Sequence, residues 1–558
     1  VDEKKRTRLL QRKQALWTER SEWDAHCREV SRFVQPRLGR FTTSEVNRGG
    51  RKDQNVYTLA AIFAHRTFAA GMMSGATSPA RPWYRLTLAD RDLMEFGPVK
   101  LWLHRKTELM RAIFSQSNTY NALHSAYEEL GLFGTWACPV ANDFENVIHL
   151  HPQTFGEYAI ATDDKNHVDT LVRAFKLTVG QMVKQFGKDA CSQTVRNLYD
   201  KGSYDAWVDV VHMIQPRPER DYGKLDARSM RWASCYFEPG ADDERYLSES
   251  GFKRFRVLAP RWAITGNDVY GRSPGMDALG AVKELQHSRL RRAQAVDLKV
   301  NPPLQLPVAL KDKANARMPG GISYFDASGP GAGIRTAYEV NVDLSHLRED
   351  MQELKNEINS AFYADLFLML ANDTRSNVTA TEIAQRYEEK LLQLGPPLER
   401  LHNELLAPLI DITWDRMEEV GLLADAPDEL QGQALDIEFV STLAQAQRAV
   451  ATVGMERFGT FVGQLAAAKG DPSVWDKVDT DQMVDDYAEA MGINPALVVP
   501  DDQAAAVREQ RAQQAAAQQA AATAPMAADA AKTVSDINVN NLRDIMSAVQ
   551  GYGAPADA

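Results

Sequence analysis

The residues best placed to do chemistry lie between Arg272 and Leu394. A polar run, Asn372-Asp373-Thr374-Arg375-Ser376-Asn377, offers hydrogen-bonding side chains and a single cation. That chemistry is contact, not bond breaking: Arg375 can touch a phosphate weakly or pair with the neighbouring Asp373. Directly after it, Thr379 with Glu382 three residues on forms a capping box, so a helix starts where the polar run ends.

Catalytic alternatives lack their parts. No GxxxxGK[ST] run supports a nucleotide motor, and no GxSxG or HExxH occurs. The stretch Gly329-Pro330-Gly331-Ala332-Gly333 has no lysine and opens no helix, so it reads as a loop. His149 and His151 alternate along one strand face, but no nearby Cys or third His completes a metal site. Asp163-Asp164 reads as a turn and Asp485-Asp486 as a solvated helix face. No enzyme, metal or cofactor is expected.

Long helices must position the polar run. Ser273-Pro274 is an N-cap followed by proline in the first turn, and the helix behind it should end before Asn301-Pro302-Pro303. A second helix over 343–370 carries Leu344, Leu347, Met351, Leu354 and Ile358 at spacings of three and four. Between them, 301–340 reads as short strands and loops. A helix of about 25 residues is about 38 Å long, so the pair predicts an antiparallel leg with a small foot. The first helix is basic in its second half (Arg289, Arg291, Arg292, Lys299) and the second is acidic in its first (Glu349, Asp350, Glu353, Glu357). These bands either pair between adjacent copies or face water.

Elsewhere, 2–35 predicts one amphipathic helix, 55–73 an apolar one, and 98–115 and 119–132 two more. Short β-branched or aromatic runs over 138–262 predict an antiparallel subdomain, with a hairpin at Asp163–Asn166 and a helical patch near 178–201. A helix over 398–420 should bend at Pro408, and the chain after 421 reads as helical. From Asp471 to Asp502 there are nine acidic residues and one lysine, and 503–531 is dominated by Ala and Gln.

The 558 residues suffice for several domains. A net charge of −11 disfavours tight wrapping of nucleic acid but permits a surface that nucleic acid slides past. Cys27, Cys138, Cys191 and Cys235 form no CxxC pair and read as reduced thiols of an intracellular protein. Val1 to Arg8 lack a signal-peptide run, and Tyr57–Ala76 contains His65 and Arg66, which argues for a buried helix and against a membrane span.

Several runs together resemble one family. Arg261-Trp262, Tyr270-Gly271-Arg272-Ser273-Pro274-Gly275-Met276, Val282–Leu298, Asn301-Pro302-Pro303 and Val378-Thr379-Ala380-Thr381-Glu382 resemble the portal (head-to-tail connector) proteins of short-tailed bacteriophages. Asn55–Gly75 and Pro79-Ala80-Arg81-Pro82-Trp83-Tyr84 are similar to the same family, and the resemblance covers roughly 5–420.

The resemblance implies an α+β, mostly α ring subunit. Residues 1–262 would be the wing (helical over 1–137, β-rich over 138–262), 263–300 and 343–370 the two stem helices, and 301–342 a small α/β clip. Residues 371–378 would be the tunnel loop, 379–420 wing and tunnel helices, 421–502 a helical crown, and 503–558 a barrel helix and tail. It implies a homo-oligomer, typically of twelve, at the capsid portal vertex of the virion and in host cytoplasm during assembly. Its implied partners are double-stranded viral DNA (transient and non-specific), the terminase large subunit, tail adaptor and tail proteins, and major capsid and scaffolding proteins, with no membrane. Asn301, Pro302, Pro303, Lys311, Lys313, Arg317 and Arg335 would be the clip residues that meet terminase and then the tail. The competing expectations are another virion adaptor or scaffold protein, or a nuclease or motor subunit.

Overall fold

The computed structural model describes residues 5–41, 56–90, 96–224, 226–241, 244–307, 344–372, 393–423, 435–440, 458–470, 472–490 and 504–518, plus the short stretches 52, 54, 93–94, 322–325, 335–336, 426–427, 430 and 499. The chain divides into two compact units, one of 1–89 with 102–453 and one of 90–101 with 454–558. The class is α+β and mostly helical, with sheets that are largely antiparallel.

In the first unit, the helix expected over 2–35 is two, α1 (Lys5–Glu19) and α2 (Ser21–Val34). The break falls at Arg20, which is 1% exposed and donates to the carbonyls of Tyr158 and Gly156 and to Asp24. Its backbone stays close to helical, with the Arg20 N–H on the Leu16 carbonyl and the Asp24 N–H on the Arg20 carbonyl, so the buried cation is matched by fixed acceptors. α3 (Ala60–Ala76) packs against α5 (Thr119–Phe133), and α4 (Gly97–Gln116) lies between them in sequence. Gly134 ends α5 at φ +71, a left-handed cap suited to glycine, and its carbonyl accepts the Trp262 N–H.

A correction concerns strand content. β1 (Tyr84–Leu88) pairs antiparallel with β13 (Leu435–Phe439), so the chain after 421 is not all helical. Leu435-Asp-Ile-Glu-Phe439 alternates apolar and acidic side chains, a period-two signal hidden among helical stretches.

Two antiparallel sheets follow. One has the order β3-β2-β9, from β2 (Cys138–Asp143), β3 (Val147–Leu150) and β9 (Val257–Leu258). The other has the order β4-β5-β6-β7-β8, from β4 (Tyr158–Thr162), β5 (Val168–Thr178), β6 (Trp207–Pro216), β7 (Trp232–Phe237) and β8 (Ser248–Phe252). The turn joining β4 to β5 is the expected one. Asn166 takes φ +62, and Asp163 Oδ1 accepts the Lys165 and His167 N–H groups at 2.9 and 2.8 Å. α6 (Val179–Phe186) and α7 (Gln193–Asp200) fill the predicted helical patch, and Thr178 with Gln181 makes a capping box on α6.

Alternation splits the five-stranded sheet. Ala159, Val172, Ala174, Val211, Met213 and Phe237 face a core completed by Leu9 and Leu16 of α1. Val210 on the opposite face packs with Val179, Met182 and Val195 of α6 and α7. All four cysteines are buried and unbridged. No described helix is long and apolar enough to cross a membrane.

Candidate functional site

The expected leg helices begin at a dense joint. α8 (Pro274–Asp277) is capped by Ser273, whose Oγ accepts the Met276 N–H at 3.0 Å and donates to the Leu132 carbonyl at 2.8 Å. The residues before it are equally committed. Tyr270 Oη accepts the Ile160 N–H at 3.1 Å, and the Gly271 N–H reaches Thr135 Oγ1 at 2.7 Å. The run Tyr270–Met276 therefore anchors a helix instead of binding a ligand.

From that joint α9 (Leu279–Val300) runs 22 residues, about 33 Å at the standard rise. Leu279, Val282, Leu285 and Gln286 are buried, but no residue from His287 to Val300 is. Gln286 is a polar member of this apolar face that sequence reasoning missed. Its Oε1 accepts the Tyr57 and Thr58 N–H groups at 2.6 and 3.0 Å, and its Nε2 donates to the Thr58 carbonyl at 3.1 Å. Its signal was a lone amide on the apolar stripe of a helix, four residues after Val282.

At Asn301 the helix stops, with φ −133 and ψ 70. Asn301 is exposed, Pro302 half-buried and Pro303 buried. They lead into β10 (Leu304–Pro307), which pairs in parallel with β11 (Ile322–Phe325) and antiparallel with β12 (Arg335–Thr336). The Arg335 backbone sits opposite Gln305, while Lys311, Lys313 and Arg317 lie outside the described residues.

The return helix is interrupted. The stretch expected as one helix over 343–370 is α10 (Leu344–Ala361) and α11 (Ala364–Asn372), separated at Tyr363 with φ +54. A tyrosine in the left-handed region costs roughly 1–2 kcal/mol and needs its surroundings to hold it. Those surroundings are Trp262, whose ring centroid lies 6.1 Å from that of Tyr363, and buried Phe362 and Phe367 on either side. Gly71 of α3 makes room: a Cβ there would fall inside the Phe367 ring.

Arg261 secures the same joint. Its side chain is 1% exposed and pairs with Glu404 at 2.7 Å. The guanidinium also reaches the carbonyl and side chain of Asn166 at 2.7 and 3.1 Å. Glu404 lies in a π-turn, His402–Leu406, ahead of α12 (Ala407–Glu419). Pro408, where a bend is expected, comes just after this π-turn, whose wider ring accommodates the N–H that proline lacks.

The charge bands survive as exposed faces. Arg289 and Lys299 on α9, and Glu349, Asp350, Glu353 and Glu357 on α10, are exposed; Arg292 is half-buried. Among described residues none of these forms an ion pair except Glu349, 3.6 Å from His346. Of the polar run, only the Asn372 backbone is described, as the last residue of α11; Asp373, Thr374, Arg375, Ser376, Asn377 and the capping box at 379–382 lie outside the described residues.

In the second unit, α13 (Thr480–Ala490) follows a 3-10 turn, Pro472–Lys477. Asp481 of the acidic stretch is bound by Arg508 at 2.5 Å. Near β3, the His149 and His151 rings lie 4.9 Å apart, and no group of three metal-binding side chains occurs among the described residues.

The sequence is similar to those of known proteins along nearly all of its length. Residues 6–499 match the family described as "Bacteriophage head to tail connecting protein". The chain is 52% identical to the "Probable portal protein" of Bordetella phage BPP-1, over 99% of this chain and 100% of that one. It is 41% identical to the "Portal protein" of Salmonella phage epsilon15, over 99% of each. Among solved structures, a chain from the neck of an empty GTA particle covers 79% of this chain and 98% of its own, at 12% identity and a TM-score of 0.31. With two relatives aligned from end to end and a family match spanning both units, the chain belongs to the bacteriophage head-to-tail connecting, or portal, proteins, structural and non-enzymatic components of the virion.

Proposed function

We propose that the chain forms a closed ring of twelve copies at one capsid vertex, through which double-stranded DNA enters during packaging and leaves at ejection. The observation that carries this reading is the helical pair α9 and α10, rooted at one end and unburied at the other, with a basic band on one helix and an acidic band on the other. Arg289, Arg292 and Lys299 of one copy would meet Glu349, Asp350, Glu353 and Glu357 of the next. Such a contact joins unlike faces and closes into a ring when the rotation fits.

In this reading the wing is 1–262, α9 and α10 are the stem, and β10–β12 belong to a clip over 301–342. The clip docks the terminase large subunit and later the tail adaptor, through Asn301, Pro302, Pro303, Lys311, Lys313, Arg317 and Arg335. Residues 371–378 form the tunnel loop, 421–502 the crown and 503–558 the barrel helix and tail. Major capsid and scaffolding proteins surround the ring, which assembles in host cytoplasm. A net charge of −11 suits a bore that DNA must slide through without sticking.

The test is a view of the purified particle down its axis together with its mass. A ring with an open bore and a mass about twelve times 62.2 kDa is expected. A monomer, or an assembly without an axial opening, contradicts the proposal. Shortening 372–377 should leave rings intact and impair DNA packaging or retention; heads filled with full-length genomes would refute the loop assignment.

A further inference from the structure

Away from the helical pair, the tip of the β2–β3 hairpin carries Phe144, which is 97% exposed. Asp143 and Val147 pair where the two strands end, so the loop is only Phe144, Glu145 and Asn146. It is firmly held. The Asp143 carboxylate accepts the Glu145 N–H at 3.1 Å and the Asn146 side-chain amide at 3.2 Å. The Ile148 N–H reaches the Asn146 carbonyl at 2.8 Å, closing a three-residue turn with Val147 at φ +70. A β-branched residue is strained at such an angle, and strain of this kind collects at functional contacts. The chain thus keeps a strained turn that holds a bare phenyl ring in water, with a carboxylate on either side.

A second apolar surface lies at the start of α3. Tyr57 is 47% exposed, Leu59 53% and Phe63 57%. Leu59 and Phe63, four residues apart, share one face, and Arg66 continues it. Arg66 is exposed and makes no ion pair or hydrogen bond among the described residues. Gln286 fixes this surface through its hydrogen bonds to Tyr57 and Thr58. The other side of α3 is buried, with Ala61, Ala64, Phe68 and Met72. A helix apolar on both sides is one that is covered on both.

The two surfaces match in chemistry. One is an aromatic ring between two carboxylates, and the other an apolar shelf ended by a guanidinium without a partner. Because they are different surfaces, joining them between copies is a heterologous contact, which repeats around a ring.

We propose that Phe144 of one copy seats on Tyr57, Leu59 and Phe63 of the next, with Arg66 of that copy meeting Asp143 and Glu145. The contact rests on the ring reading above and adds a second meeting point to the charge bands of α9 and α10. Both sides are formed before they meet, so little chain has to be ordered on closure. The desolvated aromatic supplies the centre of the contact, and the charges at its rim set register.

The test is cross-linking of the full chain carrying Glu145→Cys and Arg66→Cys together, with a short bis-maleimide. These rim positions leave the apolar centre intact, and all four native cysteines are buried. A ladder of covalently joined chains is expected from the double variant and none from either single one. In a separate variant, Phe144→Asp should raise the concentration needed for ring formation at least tenfold, with thermal unfolding of the single chain unchanged. A ladder from Glu145→Cys alone, a link confined within one chain, or wild-type assembly of Phe144→Asp overturns the contact. Rings of full mass without a ladder also overturn it, and leave the ring reading standing. A wild-type chain that stays single at every concentration overturns both.

Discussion

The sheet-bearing body and the α9–α10 pair solve opposite problems with the same residue types. In the body, charge is consumed internally: Arg20 and Arg261 are almost wholly buried, and each is held by carbonyls and one carboxylate. On the helical pair, arginines and glutamates of similar number face outward, and Val300 is 79% exposed. A chain spends desolvation on a buried charge only where its partners are fixed, so the body stands by itself. In the proposed ring, the outer helices instead carry contacts that a single copy leaves unmade.

That contrast breaks most readily at Arg261. Arg261→Ala leaves Glu404 only the residue-261 N–H and Arg400, 3.6 Å away, and frees the turn at Asn166, and should cost about 3 kcal/mol. Thermal unfolding and soluble yield report it; a protein that melts like wild type would show that the joint is not what holds the hairpin to the body.

Glu129 provides the next effect, through pH. It is buried, accepts Thr154 Oγ1 at 2.5 Å and the Phe155 N–H at 2.9 Å, and burial raises it to about 8. The folded protein therefore holds a proton that the unfolded chain releases near 4.5. Its contribution to stability is full below that value and is lost as pH rises toward and through 8, by at most about 1.4 kcal/mol per pH unit. Glu129→Gln should flatten this slope while keeping an acceptor for Phe155. Unfolding midpoints between pH 5 and 9 decide it, and an unchanged slope in the variant excludes Glu129 as the source.

The smallest effect sharpens the comparison from the other side. Val300→Ser should leave the stability of the single chain within about 0.5 kcal/mol. Assembly, read by light scattering, should weaken by about 1 kcal/mol per contact if a neighbour covers that side chain. A drop in chain stability with assembly untouched would place Val300 inside its own subunit.

Much of this was legible in the sequence where local rules act alone. Ser273-Pro274 announced the start of the hairpin, Asn301-Pro302-Pro303 the end of its first helix, and Asp163–Asn166 a turn. What stayed hidden depends on partners distant in the chain. Nothing around Arg20 shows that Gly156 and Tyr158 wait for it, and nothing in the run at 362–368 shows that Trp262 packs against Tyr363 where the chain takes a positive φ. The pairing of β1 with β13 spans some 350 residues, beyond any local pattern. The bands on α9 and α10 were readable as charge, but which surface they meet is a property of the assembly.

Charge exchange across that surface is the decisive measurement. Arg289→Glu with Arg292→Glu, or Glu353→Arg with Glu357→Arg, should each yield folded single chains that fail to close into rings. All four changes in one chain should restore rings, because each copy then presents the inverted pair to its neighbour. Mass measurement of the three variants gives the answer. Rings in every variant, or none in the fourfold exchange despite a folded chain, would contradict pairing of α9 with α10 between copies.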